Sequence, residues 1–127
     1  MNLLSIFVSV SSFYALPPGL LSAVCYVESK HKEEVVHVKD GNSDSIGVCQ
    51  IKYATAVDLG FKGTPEELKY SIVNIEYAGR YLKKMLVKYE DTSKAISAYN
   101  AGHPVSFNKK YVAKVYKAWK ESKYAND

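Results

Sequence analysis

Apolar positions recur at helical spacing along most of the chain. The longest such run is Ser71 to Glu90, where Ile72, Ile75, Ala78, Leu82, Met85, Leu86 and Tyr89 fall on one face and predict a long central packing helix. Val112, Val115, Tyr116 and Trp119 repeat the same rhythm near the C-terminal end and predict a closing core helix. Leu3 to Ala15 is apolar almost throughout, like the core of a secretory signal. Its first cationic residue is Lys30, however, and neither Phe-Tyr-Ala nor Val-Ser-Ser reads as a clean cleavage site, so a retained first helix is the expectation. The segment is too short to span a membrane, and no stable membrane insertion is expected.

Between these runs lie breakers and caps. Pro17-Pro18 interrupts the first run and can open a second helix, because a first turn tolerates proline. That helix should carry Leu20, Leu21, Val24 and Val27 inward and deliver Glu28 near its end. From Lys30 to Ser45 the composition turns polar, and Asp40-Gly41-Asn42-Ser43-Asp44 signals a flexible loop. Ile46 to Ile51 is short, β-branched and glycine-containing, which suggests an extended segment or tight bend. Tyr53 to Leu59 reads as a short helix stopped by Gly60. Thr64-Pro65-Glu66-Glu67 has the form of a capping box, and Ser93 is placed to cap a helix that ends at Ala101-Gly102. No internal repeat or linker is visible, so one domain, 1–127, of about six helices is expected.

Composition changes this picture little. Of 127 residues, 47% are hydrophobic and 24% charged, which excludes the disordered and membrane classes. Lys and Arg number 17 against 13 Asp and Glu, a formal +4 that a solvated surface explains without a nucleic-acid partner; an acidic cell-wall polymer is the other anionic candidate. The 11 Tyr, four Phe and one Trp suit a core and the apolar faces of sugars equally. Cys25 and Cys49 have no metal spacing, and no Cys-x-x-Cys or His-x-x-x-His pattern accompanies them, so neither metal nor cofactor is expected. His31 and His37 read as solvated loop residues.

The candidate chemistry begins at Glu28. A carboxylate at the end of an apolar helix loses water, which destabilises its charged form and should raise its pKa, as a general acid working near neutral pH requires. Gln50 lies among apolar neighbours, and its amide needs partners, either nearby backbone or a polar ligand in a cleft. Tyr99 and Asn100 pair an aromatic face and a hydroxyl with an amide, groups suited to a sugar ring and its acetamido substituent; a packed tyrosine and a capping asparagine are the alternative.

Glu28-Ser29, Gly47-Val48-Cys49-Gln50-Ile51 and Ala98-Tyr99-Asn100-Ala101-Gly102 stand in an order and at intervals that resemble the three signature blocks of soluble lytic transglycosylase domains. Leu16 to Leu21 resembles the family's lead into its catalytic helix, Thr55-Ala56 and Leu59-Gly60 follow the second block as in the family, and Asn74-Ile75 with Tyr81-Leu82 resembles a weaker fourth block. The resemblance runs from about Leu16 to Tyr111. It departs from the family at Cys49, where Met is frequent, and at Ala78, where Gly is frequent and Gly79 follows one position late.

The resemblance implies a mainly α, lysozyme-like fold and cleavage of peptidoglycan strands between N-acetylmuramic acid and N-acetylglucosamine. It makes Glu28 the general acid and then base, with Gln50, Tyr99 and Asn100 contacting substrate and Ser29 beside the carboxylate. Closure of a 1,6-anhydro ring by the C6 hydroxyl needs no second carboxylate, unlike the hydrolytic schemes. Two other readings stay open: a hydrolytic lysozyme of the same fold using Asp40 or Asp44, and a non-catalytic glycan-binding part of a phage or secretion assembly. The implied place of action is the periplasm or cell wall, reached by export or by delivery from a virion or secretion apparatus.

Cys25 lies one turn before Glu28, and Cys49 directly precedes Gln50. If Glu28 and Gln50 share a cleft, the two sulfurs lie close together. Either a disulfide or a pair of packed thiols then follows. The thiols are preferred, because a Cα separation above roughly 7 Å forbids the bond and proximity alone does not set that distance.

Overall fold

Asn2 opens the first helix by accepting the Ser5 N–H at 2.9 Å, which supplies a partner for an otherwise orphan donor. This helix, α1 (Leu3–Phe13), buries Ile6, Phe7 and Val10 in the main core, so the apolar N-terminal run is an integral helix in the computed structural model of the chain. The structure describes residues 2–37 and 44–122. Helix α2 (Leu20–Ser29) starts two residues after the prolines, because Gly19, at φ +82°, takes the cap in a left-handed conformation open to glycine. Leu20, Leu21, Val24 and Cys25 are buried, and Glu28 sits in the last turn. The helix ends as Lys30 turns left-handed and donates its N–H to the Tyr26 carbonyl at 2.6 Å.

Three two-residue strands follow: β1 (Val36–His37), β2 (Ser45–Ile46) and β3 (Ile51–Lys52), in antiparallel order β1-β2-β3. Val36 faces Ile46, and Ile46 faces Ile51. The short β-like segment expected near 46–51 is thus a pair of strands around a tight turn at 47–50. Asp40, with most of the loop predicted around it, and the side chain of His37 lie outside the described residues.

Helix α3 (Tyr53–Asp58) stops before Gly60 as expected. The capping box forms, with Thr64 N donating to Glu67 Oε1 at 3.0 Å and Glu67 N to Thr64 Oγ1 at 3.2 Å, and it opens a 3-10 turn at Glu67–Lys69. Helix α4 (Ser71–Tyr89) buries Ile75, Ala78, Leu82 and Met85. Ile72 is 57% exposed, contrary to expectation, because the buried stripe enters the helix through Asn74. Gly79 is where α1 crosses α4: a Cβ there would overlap Val10. The late glycine thus has a packing reason.

Helix α5 (Thr92–Ala101) is capped by Asp91, whose side chain accepts the Lys94 N–H at 2.9 Å, and not by Ser93; the Ser93 hydroxyl pairs instead with Tyr116 at 2.8 Å. Gly102 ends it at φ +86°. Helix α6 (Lys109–Glu121) buries Val115 fully and Val112 and Trp119 in part, whereas Tyr116, expected in the same stripe, is 36% exposed and stays out of the core. Residues of α1, α2, α4, α5 and α6 enclose the main core, and a smaller cluster of Ile46, Ile51, Ala56, Phe61 and Leu68 fills the space behind the strands. Six α-helices and a small sheet among the described residues make the fold mainly α and lysozyme-like.

Candidate active site

The 47–50 turn lies against α2 and is fixed there four ways. Cys49 is bonded to Cys25, with the Cα atoms 4.2 Å apart. The expected pair of thiols is therefore wrong: the turn's backbone, not only its side chains, comes close to the helix, which brings the Cα atoms below the roughly 7 Å limit for the bond. Ser29 Oγ donates to the Val48 carbonyl at 2.6 Å, and Tyr99 Oη donates to the Cys49 carbonyl at 2.8 Å. Asn74, fully buried, accepts the Cys49 N–H at 2.8 Å while its Nδ2 donates to the carbonyls of Ile46 and Leu68, each at 2.8 Å. A buried amide so saturated stabilises the turn, since any lost partner would leave a desolvated polar group. Gly47 permits the arrangement: at φ +77° it adopts a left-handed conformation, and a Cβ would overlap the Asn74 amide.

Beside this turn opens a cleft of about 310 Å³ lined by Glu28, Gln50, Tyr81, Tyr99 and Asn100, among others. Four of the five residues singled out in the sequence therefore meet at one cavity. Ser29 does not line it; its buried hydroxyl bonds to Val48 and, at 3.3 Å, to the Cys25 carbonyl. Gln50 Nε2 donates to the carbonyls of Val35 at 3.0 Å and Gly47 at 2.9 Å, so its amide has backbone partners while facing the cleft. Asn100 is exposed and accepts from Asn108 Nδ2 at 3.2 Å; Gly102, not Asn100, caps α5.

Tyr111 of α6 donates its hydroxyl to Glu28 Oε2 at 2.7 Å. The sequence reading missed this contact, and the only available signal is that Tyr111 lies four residues before the buried Val115. The Tyr111 hydroxyl is held far above the ordinary tyrosine range, chiefly by loss of water and then by the Glu28 charge. Tyr99 and Tyr81, whose rings lie 5.1 Å apart, are raised for the same leading reason, with Glu28 contributing to each. All three are protonated donors at neutral pH.

Asp44 lines a separate cavity with Val36, Ile46 and Lys69, so among the described residues Glu28 is the only carboxylate that lines the cleft. His31 is not a solvated loop residue. Its Nε2 lies 2.8 Å from the Ser22 carbonyl and its ring packs 5.1 Å from Phe7 and 5.3 Å from Tyr26. Among the described residues no group of three or more His, Cys, Asp or Glu could hold a metal ion, and no helix is long and apolar enough to cross a membrane.

The family model of the transglycosylase SLT domain matches residues 6–124, nearly the whole chain. This chain belongs to the SLT transglycosylase family. No curated protein and no solved structure matches it. As an SLT domain it is of the lytic transglycosylase type, a family that acts on peptidoglycan in the periplasm or cell wall. The departure from the family's second block acquires a meaning in this SLT domain: where Met is frequent, Cys49 supplies the bond to α2.

Proposed function

We propose that this SLT domain cleaves the β-1,4 bond between N-acetylmuramic acid and N-acetylglucosamine in peptidoglycan and leaves a 1,6-anhydromuramic end. The observation that carries the reading is the cleft with Glu28 as its only carboxylate among the described residues. Protonated Glu28 gives its proton to the glycosidic oxygen as the bond to the muramic C1 breaks. The resulting carboxylate takes the proton of the C6 hydroxyl on the same sugar, and that oxygen closes onto C1. The attack is intramolecular, so the site needs neither a positioned water nor a second carboxylate.

Tyr111 supports this role by fixing the carboxyl plane through Oε2. The Gln50 carboxamide, the Tyr99 ring and the Asn100 amide, all on the cleft, are assigned to the sugar and its acetamido group. Ser29 acts behind the cleft, holding the end of α2 against the turn. Mass spectrometry of digested peptidoglycan tests the reading. Anhydro-muropeptides, lighter by one water than reducing-end products, are expected; exclusively reducing ends would replace the reading with hydrolysis.

A further inference from the structure

Tyr111 links the cleft carboxylate to a second surface. Its hydroxyl donates to Glu28, which lines the cleft, while the residue itself helps line a separate groove of about 550 Å³ between the end of α2 and the face of α6. That groove presents Tyr26, Lys30, Lys114 and Lys117, with Glu121 as its one carboxylate among the described residues. Tyr111 and Lys114 stand three residues apart on α6, and Lys117 follows one turn on, which sets them along one side of the helix. Among the described residues, none of the three lysines takes part in an ion pair or a side-chain hydrogen bond. The negative end of α2 accounts for a cation at Lys30. It does not account for Lys114 and Lys117, which are mid-helix.

We propose that this groove receives the carboxylates of the peptide stem carried by the muramic residue whose glycosidic bond lies at Glu28. The inference rests on the transglycosylase reading and deepens it. The stem leaves the sugar through the lactyl ether on C3, and the bond to be broken is at C1 of the same ring. A stem can therefore enter a groove only if the groove begins within about one ring of the catalytic carboxylate, and this one begins at the residue bonded to it. The aromatic faces of Tyr26 and Tyr111 suit the stem's aliphatic portions, and the lysines suit its charges.

The test compares kcat/KM on stem-bearing glycan strands with that on strands stripped of stems by an amidase. The ratio of the two should fall about tenfold in K114E/K117E and about threefold in K114Q/K117Q, and the effect should shrink as salt rises. The charge-matched K84E/K94E, whose positions lie outside the groove, should keep the wild-type ratio. Sedimentation of Glu28→Gln protein with each kind of strand supplies a second arm that needs no turnover. There K114E/K117E should erase the preference for stem-bearing strands. An unchanged preference in both arms, or an equal loss on both strands, overturns the proposal, the latter in favour of general attraction to anionic polymers. If wild type makes no anhydro products, the transglycosylase reading fails on its own, and the sedimentation arm still decides the groove.

Discussion

The two sides of the Glu28 carboxyl are built by different means. On one side, the 47–50 turn is joined to α2 by a disulfide and held by three side chains that are themselves buried, Ser29, Asn74 and Tyr99. On the other, α6 reaches the carboxyl through a single hydroxyl, that of Tyr111. A wall whose backbone is clamped sets where Gln50 stands. A wall that offers one donor sets how the carboxyl is turned. Substitutions on the first side should therefore register mainly in stability, and substitutions on the second mainly in rate.

The largest effect is expected at the point where the sides meet. Glu28→Gln keeps the shape and the Tyr111 bond but has no proton to give, so clearing of cell walls should fall by on the order of a thousandfold while sedimentation with peptidoglycan persists. Clearing that survives would reject Glu28 as the acid. A non-catalytic glycan-binding role would instead leave nothing for the substitution to abolish.

Breaking the clamped side comes next. Removing the disulfide with C25A/C49A should cost about 3 kcal/mol, read as a lower denaturation midpoint, on the model in which the bond limits the unfolded chain. Thiol titration of the denatured, unreduced protein should find no free thiol; two would refute the bond.

A matched pair of tyrosine changes sharpens the contrast. Tyr111→Phe should lower kcat on peptidoglycan about tenfold with little loss of stability, since it frees the carboxyl to rotate. Tyr99→Phe strands the buried Cys49 carbonyl and should lower stability by about 1–3 kcal/mol. Equal rate losses in the two variants, with equal stability losses, would erase the distinction between the walls.

The smallest effect, absent at neutral pH, is alkaline. Tyr81, Tyr99 and Tyr111 all have raised pKa values in the folded protein, so above about pH 10 the unfolded chain has lost protons that the fold retains. Stability should be intact below that pH and should fall above it by up to about 1.4 kcal/mol per pH unit for each group. In an ultraviolet titration, Tyr99 and Tyr111 should ionise only as the protein unfolds, and Tyr81 later than an exposed tyrosine. Normal ionisation of all tyrosines in the native state would contradict it.

The helices were legible in the sequence because their signals are local: the 3.6-residue rhythm of α4, the glycine stops at Gly60 and Gly102, the reciprocal bonds of Thr64 and Glu67. The meeting of Glu28, Gln50, Tyr99 and Asn100 at one cleft was legible through ordered blocks. What escaped depends on residues far apart in the chain. Asn74 is polar and wholly buried, and nothing beside it in sequence supplies the carbonyls of Ile46 and Leu68 that make its burial tolerable. Burying Asn74 also shifts the stripe of α4, which is why Ile72 is exposed. Spacing brought the two sulfurs near each other but could not fix a Cα separation, and Tyr111 joins Glu28 across 83 positions. Asp91 displaced Ser93 as a cap because either residue type at a helix start satisfies the same donors, and position alone does not choose between them.

Gly47 and Asn74 also bear on how this domain can change over generations. A side chain at position 47 collides with the amide at 74, and a smaller residue at 74 would make room only by abandoning the carbonyls of Ile46 and Leu68 and the Cys49 N–H. Neither position has an acceptable single step, so the two can be rewritten only together, along with whatever then serves those three backbone groups. Variation among descendants of this chain is therefore directed away from the clamped turn, toward exposed positions such as the lysines of α6 and Asn100, where one change at a time leaves the fold intact.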